Sequence, residues 1–214
     1  MKKLTLPVIL AIIIILLVAS RVVNQNNKTI EPLPMENNET VTTKTPPTYD
    51  IRALAQTILL NIEFKKMENI LPYVGQNGVH FKLYYTPNSE NETTLNINDF
   101  QNFFTDTKIY TWGIPPSGIP IGATKANIYK TIFDKTYSKA PNVGVNEPVL
   151  EPGSSSNIEQ LTNELYSGKN IMYVEYYYPP IEEGGLDWSA LSLVFEQVNG
   201  KINLIGIFNN TWTP

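Results

Sequence analysis

Asp187 to Trp212, DWSALSLVFEQVNGKINLIGIFNNTW, is the stretch whose reading decides the fold. Asn199-Gly200 sits between two runs rich in β-branched and apolar residues. A two-residue type I′ turn needs positive φ at both central positions, which Asn and Gly tolerate best, so the stretch predicts a β-hairpin. Counting outward from that turn pairs Val198 with Lys201, Gln197 with Ile202, Phe195 with Leu204, Leu193 with Gly206 and Leu191 with Phe208. One face is then almost wholly apolar. The other sets Glu196 opposite Asn203 and Ser192 opposite Ile207, and reads as half solvated. Burying Leu191, Leu193, Phe195, Ile202, Leu204 and Phe208 at roughly 1.5 to 3 kcal/mol each contributes on the order of 10 kcal/mol, which no isolated hairpin can realise. Another element must cover this face. Gly206 leaves a gap in mid-strand, and the expectation is that a helix packs into it.

Working outward, Ile171 to Tyr178 (IMYVEYYY) is a third strand. It alternates Met172, Val174, Tyr176 and Tyr178 with Ile171, Tyr173, Glu175 and Tyr177. The loop Pro179 to Asp187 reverses the chain, which makes a three-stranded antiparallel meander. The cover is found near the start: Ile51, Leu54, Ala55, Ile58 and Ile62 recur at helical spacing. Ile58 or Ile62 is the expected filler of the Gly206 gap. Met67, Ile70 and Leu71 form a short second helix before Pro72. Between these ends the signals are weaker. Val79 to Tyr85 reads as a strand, Lys108 to Gly113 as a small one, and PNSENETT as a polar loop. Asn98-Asp99 caps a helical segment with Ile97, Phe100, Phe103 and Phe104 inward, Thr124 caps one carrying Ile128, Tyr129, Ile132 and Phe133, and Ser156 to Glu159 opens one that ends before Gly168.

Met1 to Val23 holds two lysines and then LTLPVILAIIIILLVAS, 17 residues without a charge. It reads as a single transmembrane helix that anchors the chain, or as a signal segment. The flanking lysines place its amino end inside the cell. Residues 24–48, rich in Asn, Thr, Glu and Pro, read as a disordered linker with a reach of about 28 Å. One domain follows, residues 49–214, extracytoplasmic and of α+β class. Sixteen basic against 20 acidic residues give a net charge of -4, so nucleic acid is not an expected partner. The chain has no cysteine, which removes disulfides, thiolate catalysis and a lipid-modified N-terminal Cys.

Little in the sequence carries chemistry. The single histidine, His80, has no neighbouring Asp or Ser pattern, and the spacings of zinc, EF-hand, P-loop and dinucleotide motifs are absent. No cofactor or metal is expected. Glu175 among tyrosines could act as a general acid or base with Tyr173 or Tyr177. Trp112 and Trp188 could stack on sugar rings or line a pocket. These five, Trp112, Tyr173, Glu175, Tyr177 and Trp188, are the candidate ligand-binding residues. Asn-x-Thr occurs at Asn27, Asn38, Asn91 and Asn209.

The order of elements resembles the NTF2-like (cystatin-like) α+β roll, in which a curved antiparallel sheet wraps a helix to make a cone. Asp187-Trp188, Leu191, Leu193-Val194-Phe195-Glu196, Gly200-Lys201, Leu204, Gly206-Ile207 and Trp212-Thr213 look like the ending of a group of extracytoplasmic bacterial proteins, many of them lipoproteins. The chain departs from that group in lacking the lipobox Cys and in having Ile202 where an aromatic is common. The resemblance brings no catalytic set. It implies a membrane-tethered binding or accessory domain whose partner is a small molecule, a glycan or a protein. The alternatives are an enzyme with an acid-tyrosine pair in the cone and a cell-wall glycan-binding module.

Overall fold

The structure, a computed structural model, describes residues 49–85, 93–115, 117–149 and 157–212. The proposed anchor and linker lie outside them, and among the described residues no helix is long and apolar enough to cross a membrane. Helix α1 (Ile51–Glu63) is capped by the Asp50 side chain, which accepts from the Ala53 amide, and it buries Ile51, Ala55, Ile58, Leu59 and Ile62. A 3₁₀ turn, Met67–Tyr73, follows and includes Pro72. The strands are β1 (Val79–Leu83), β2 (Thr93–Leu95), β3 (Tyr110–Thr111), β4 (Gly122–Ala123), β5 (Asn142–Val145), β6 (Ile171–Tyr178), β7 (Ser189–Val198) and β8 (Lys201–Thr211). Six of them form one sheet in the order β2-β1-β8-β7-β6-β5, while β3 and β4 pair separately. The three-stranded meander β6-β7-β8 is as the sequence indicated. The sheet is mixed, however: β1 runs parallel to β8, His80 opposite Gly206, so the expected all-antiparallel sheet is corrected.

The hairpin turn is also as read, with φ of 51° at Asn199 and 75° at Gly200. The register counted from it holds from Val198–Lys201 to Phe195–Leu204 and then shifts. Val194 pairs with Gly206, Leu193 with Ile207 and Leu191 with Asn209, so Ile205 is an extra residue in β8. A β-bulge of this kind turns every later side chain of the bulged strand to the other face relative to its partner. The pairings Leu193–Gly206 and Leu191–Phe208 are therefore corrected. Ile207 takes the core place expected of Phe208.

Both sheet faces are covered. On the α1 side Leu191, Leu193, Phe195, Ile202, Leu204 and Ile207 pack with Ile58, Leu59, Phe81 and Trp112. Helix α4 (Ile158–Leu165) covers the other, where Tyr173, Ala190, Val194, Ile205 and Phe208 pack with Ile158, Leu161 and Tyr166. The face expected to be half solvated is a second core. Two further α-helices complete the set among the described residues. Helix α2 (Ile97–Gln101) has its capping box on Asn96 and Asp99, so the cap lies two residues earlier than expected, and Ile97, expected to face inward, is exposed. Helix α3 (Lys125–Ile132) is capped by Thr124 as read, and α4 is capped by Asn157.

Gly206 faces α4, not α1, so the expected contact with Ile58 or Ile62 is corrected. A Cβ built on it would lie 2.8 Å from Phe208 Cζ and 3.1 Å from the Tyr166 hydroxyl oxygen. Phe208 is fully buried and cannot swing away. Gly206→Ala is therefore expected to cost about 1 to 3 kcal/mol by overpacking. The loss should shrink in a Phe208→Leu background, where the ring is gone. Chemical denaturation of the four variants of that cycle measures it, and an undiminished loss would show that the ring is not what the glycine accommodates.

Candidate functional site

The five sequence candidates do not converge. Trp112 is fully buried on the α1 side, its Nε1 donating to the Ala123 carbonyl (2.8 Å) and its ring edge-on to Phe81 at 5.1 Å. It ties the β3–β4 pair to β1 and is a core anchor. Tyr173, Glu175 and Tyr177 alternate onto the opposite face, where Trp188 packs at the margin of the second core.

Glu175 is fully buried beneath that face. The Tyr85 hydroxyl donates to its Oε1 (2.9 Å), the Val149 amide donates to its Oε2 (2.7 Å), and Ser192 Oγ lies 2.7 Å from the Tyr85 oxygen. An acid-tyrosine pair thus exists, with Tyr85 in place of Tyr173 or Tyr177, and on the side away from α1. Burial, reinforced by the Glu175 charge, holds the Tyr85 hydroxyl well above its ordinary pKa. Donors converging on both carboxylate oxygens make this a satisfied network that fixes the β5–β6 loop end to the sheet.

A second charged cluster surrounds Lys125, at the start of α3. Its Nζ reaches Asp106 Oδ2 (2.7 Å), Asp99 Oδ1 (3.3 Å) and the Tyr110 hydroxyl (3.3 Å), with the side chain only 1% exposed. A shallow recess of about 340 Å³ lies beside it. Every group in the cluster is paired, which marks it as structural.

Two hollows remain. On the α1 face, at the end of the sheet where β1 and β8 finish and β7 begins, lies a pocket of about 280 Å³. Its floor is polar although the face around it is apolar: Tyr137, Ser189, Asn209 and Thr211. Asn209, 5% exposed, donates through Nδ2 to the Tyr137 hydroxyl and to the Ala190 carbonyl, both at 3.0 Å. It was noticed in the sequence only as a glycosylation signal, and its amide is engaged inside the fold. Among the described residues Ser189 Oγ is buried without a hydrogen-bond partner of good geometry, although it stands close enough to the Tyr137 hydroxyl to favour its ionised form. Burial raises the Tyr137 pKa, with Asp134 adding to it, although Ser189 and Asn209 work the other way. At the rim, Tyr84 holds a left-handed φ of 69° while its amide donates to the Asn209 carbonyl (2.6 Å). A bulky residue in that region is strained, and such strain with an orphaned buried hydroxyl gathers at functional sites. Asp134, Lys135 and Asp187 complete the lining.

The other hollow is an open cleft of about 740 Å³ on the α4 face at the hairpin tip, with His80, Tyr166, Lys169 and Glu196 along its wall. His80 stacks on Tyr166 with ring centroids 5.5 Å apart, and the Tyr166 hydroxyl lies 3.2 Å from His80 Nδ1 and donates to the Ile205 carbonyl (3.1 Å). The sequence treated His80 as isolated because Tyr166 comes from an element 86 residues away.

No family model and no curated protein matches the chain. Among solved structures, a protein from Xanthomonas campestris assigned as a calcium/calmodulin dependent protein kinase II association domain is 11% identical over 76% of this chain and 85% of its own, at a TM-score of 0.32. Another, described as "Rd1NTF2_05 with long sheet", is 9% identical over 75% of this chain and 98% of its own, at a TM-score of 0.26.

The Lys125 cluster predicts a pH dependence. Lys125, the Lys108 amide and Tyr110 draw the Asp106 carboxyl below its ordinary range. Burial pushes the Asp99 carboxyl up, but the Asn96 amide, Lys125 and Tyr110 outweigh it and the net shift is down. Depressed carboxylates stabilise the fold above the unfolded pKa, and that contribution is lost as pH falls through the folded one. Thermal unfolding from about pH 5 to about pH 3 should therefore show a steeper fall in Tm for the parent than for Lys125→Met. Parallel falls would remove the cluster from the account of acid stability.

Proposed function

We propose that the chain is a membrane-tethered, extracytoplasmic binding domain of NTF2-like type, taking a small polar ligand in the pocket floored by Tyr137, Ser189, Asn209 and Thr211. What carries the reading is Ser189: among the described residues its hydroxyl is buried without a hydrogen-bond partner, and the residue lines the cavity. Leaving such a group unpaired costs about 1 to 3 kcal/mol, a cost that a ligand can offset by supplying the missing bond. Among the charged lining groups Asp134 and Asp187 outnumber Lys135, so the pocket favours an uncharged or cationic molecule bearing hydroxyl or amine groups. Its volume suits something near the lower end of small-ligand size. The NTF2-like assignment is supported by α1 lying across the long C-terminal strands and by the residues of the hairpin quoted above. The tether is supported by the uncharged run before Arg21 and the polar linker after it.

Two outcomes test this. Ser189→Val should stabilise the full-length chain by about 1 kcal/mol, since it removes the orphaned hydroxyl. It should also abolish the thermal shift produced by whichever polyol, amine or amide binds the parent in a small-molecule screen. Binding that survives Ser189→Val would place the ligand elsewhere. For the tether, alkaline phosphatase fused after Thr48 is expected to be active. An inactive fusion, with a cytoplasmic reporter working at the same point, would reverse the topology.

A further inference from the structure

The cleft on the α4 face belongs to a different side of the sheet and has a different character. Around it Lys169 and Lys201 stand against Glu196 alone, a formal charge of +1 in a chain of net charge -4. Lys169 Nζ is 3.5 Å from Glu196 Oε1 and lies over the Tyr166 ring at 5.6 Å, so it is held at the wall; Lys201 is exposed at the mouth. Between the lysines the lining carries carboxamides, Gln76, Asn77, Asn199 and Asn203. A carboxamide offers donors and an acceptor together, the combination that meets a sugar hydroxyl.

We propose that this cleft binds a short acidic oligosaccharide, with Lys201 and Lys169 holding a carboxylate and the carboxamides meeting the hydroxyls. A single negative charge matches the +1 lining. A phosphate dianion would set surplus negative charge beside Glu196, which disfavours it. Leu165, Val198 and Ile205 add apolar surface for the C–H faces of the rings, and the volume of about 740 Å³ leaves room for more than one sugar.

The test is isothermal titration of the full-length chain with aldotriouronic acid, a uronate trimer of two neutral sugars and one uronic acid and so a single carboxylate, alongside a neutral glucose trimer, inorganic phosphate and anionic phospholipid vesicles. The uronate trimer is expected to bind, to weaken as salt is added, and to lose about tenfold or more in affinity in Lys201→Gln. Ser189→Val, in the pocket on the other face, should leave that binding unchanged, so failure here is separable from failure of the pocket reading. No binding of the uronate, equal binding of the neutral trimer, tighter binding of phosphate or vesicles, or indifference to Lys201→Gln would each overturn the proposal.

Discussion

A single extra residue in β8, Ile205, sets the arrangement on which the rest of the sheet depends. Before it, β7 and β8 present Phe195, Ile202 and Leu204 to α1. After it, Ile207 and Asn209 continue on that side, while Gly206 and Phe208 face α4. With a regular ladder Phe208 would enter the α1 core and Asn209 would leave it. The bulge therefore supplies both the tight packing of Phe208 against Tyr166 and the polar floor under an apolar face. Bulged strands also bend, which lets one sheet carry a helix on either side.

How much of this was legible in the sequence follows from the range of each signal. The Asn199-Gly200 turn, the alternation of Ile171 to Tyr178 and the apolar stripe of α1 are local patterns, and each was read correctly. The bulge was not, because residue types there do not oppose a regular register: Ile205 and Gly206 suit either face. β2 was missed inside a polar loop, and β5, with Asn142 and Gly144, has too short and too polar a sequence to announce a strand. The parallel pairing of β1 with β8 joins segments more than a hundred residues apart, and no short-range pattern encodes it.

The site was less legible than the fold. Tyr137, Ser189 and Asn209 come from three separate elements and are ordinary residues in sequence, so only the corrected register brings them together. Conversely, Trp112 and Glu175 drew attention as unusual residues and prove to be fully satisfied internal supports. The informative polar groups were those with an unmet bond or a cavity beside them. These two hollows lie on opposite faces of one sheet and carry opposite net charge, so the two proposed sites call for ligands of different kinds.

The neighbourhood of β8 in the sheet has a bearing on how the protein is made. Strand β8 follows the other strands of its sheet in sequence and lies between β7 and β1, and β1 has no strand neighbour other than β8 and the three-residue β2 among the described residues. A ribosome that has made the chain up to Asn199 has therefore produced β1 with its main strand partner still missing. Pairing of β1 into the sheet must therefore wait until β8 has left the ribosome, so the sheet closes late.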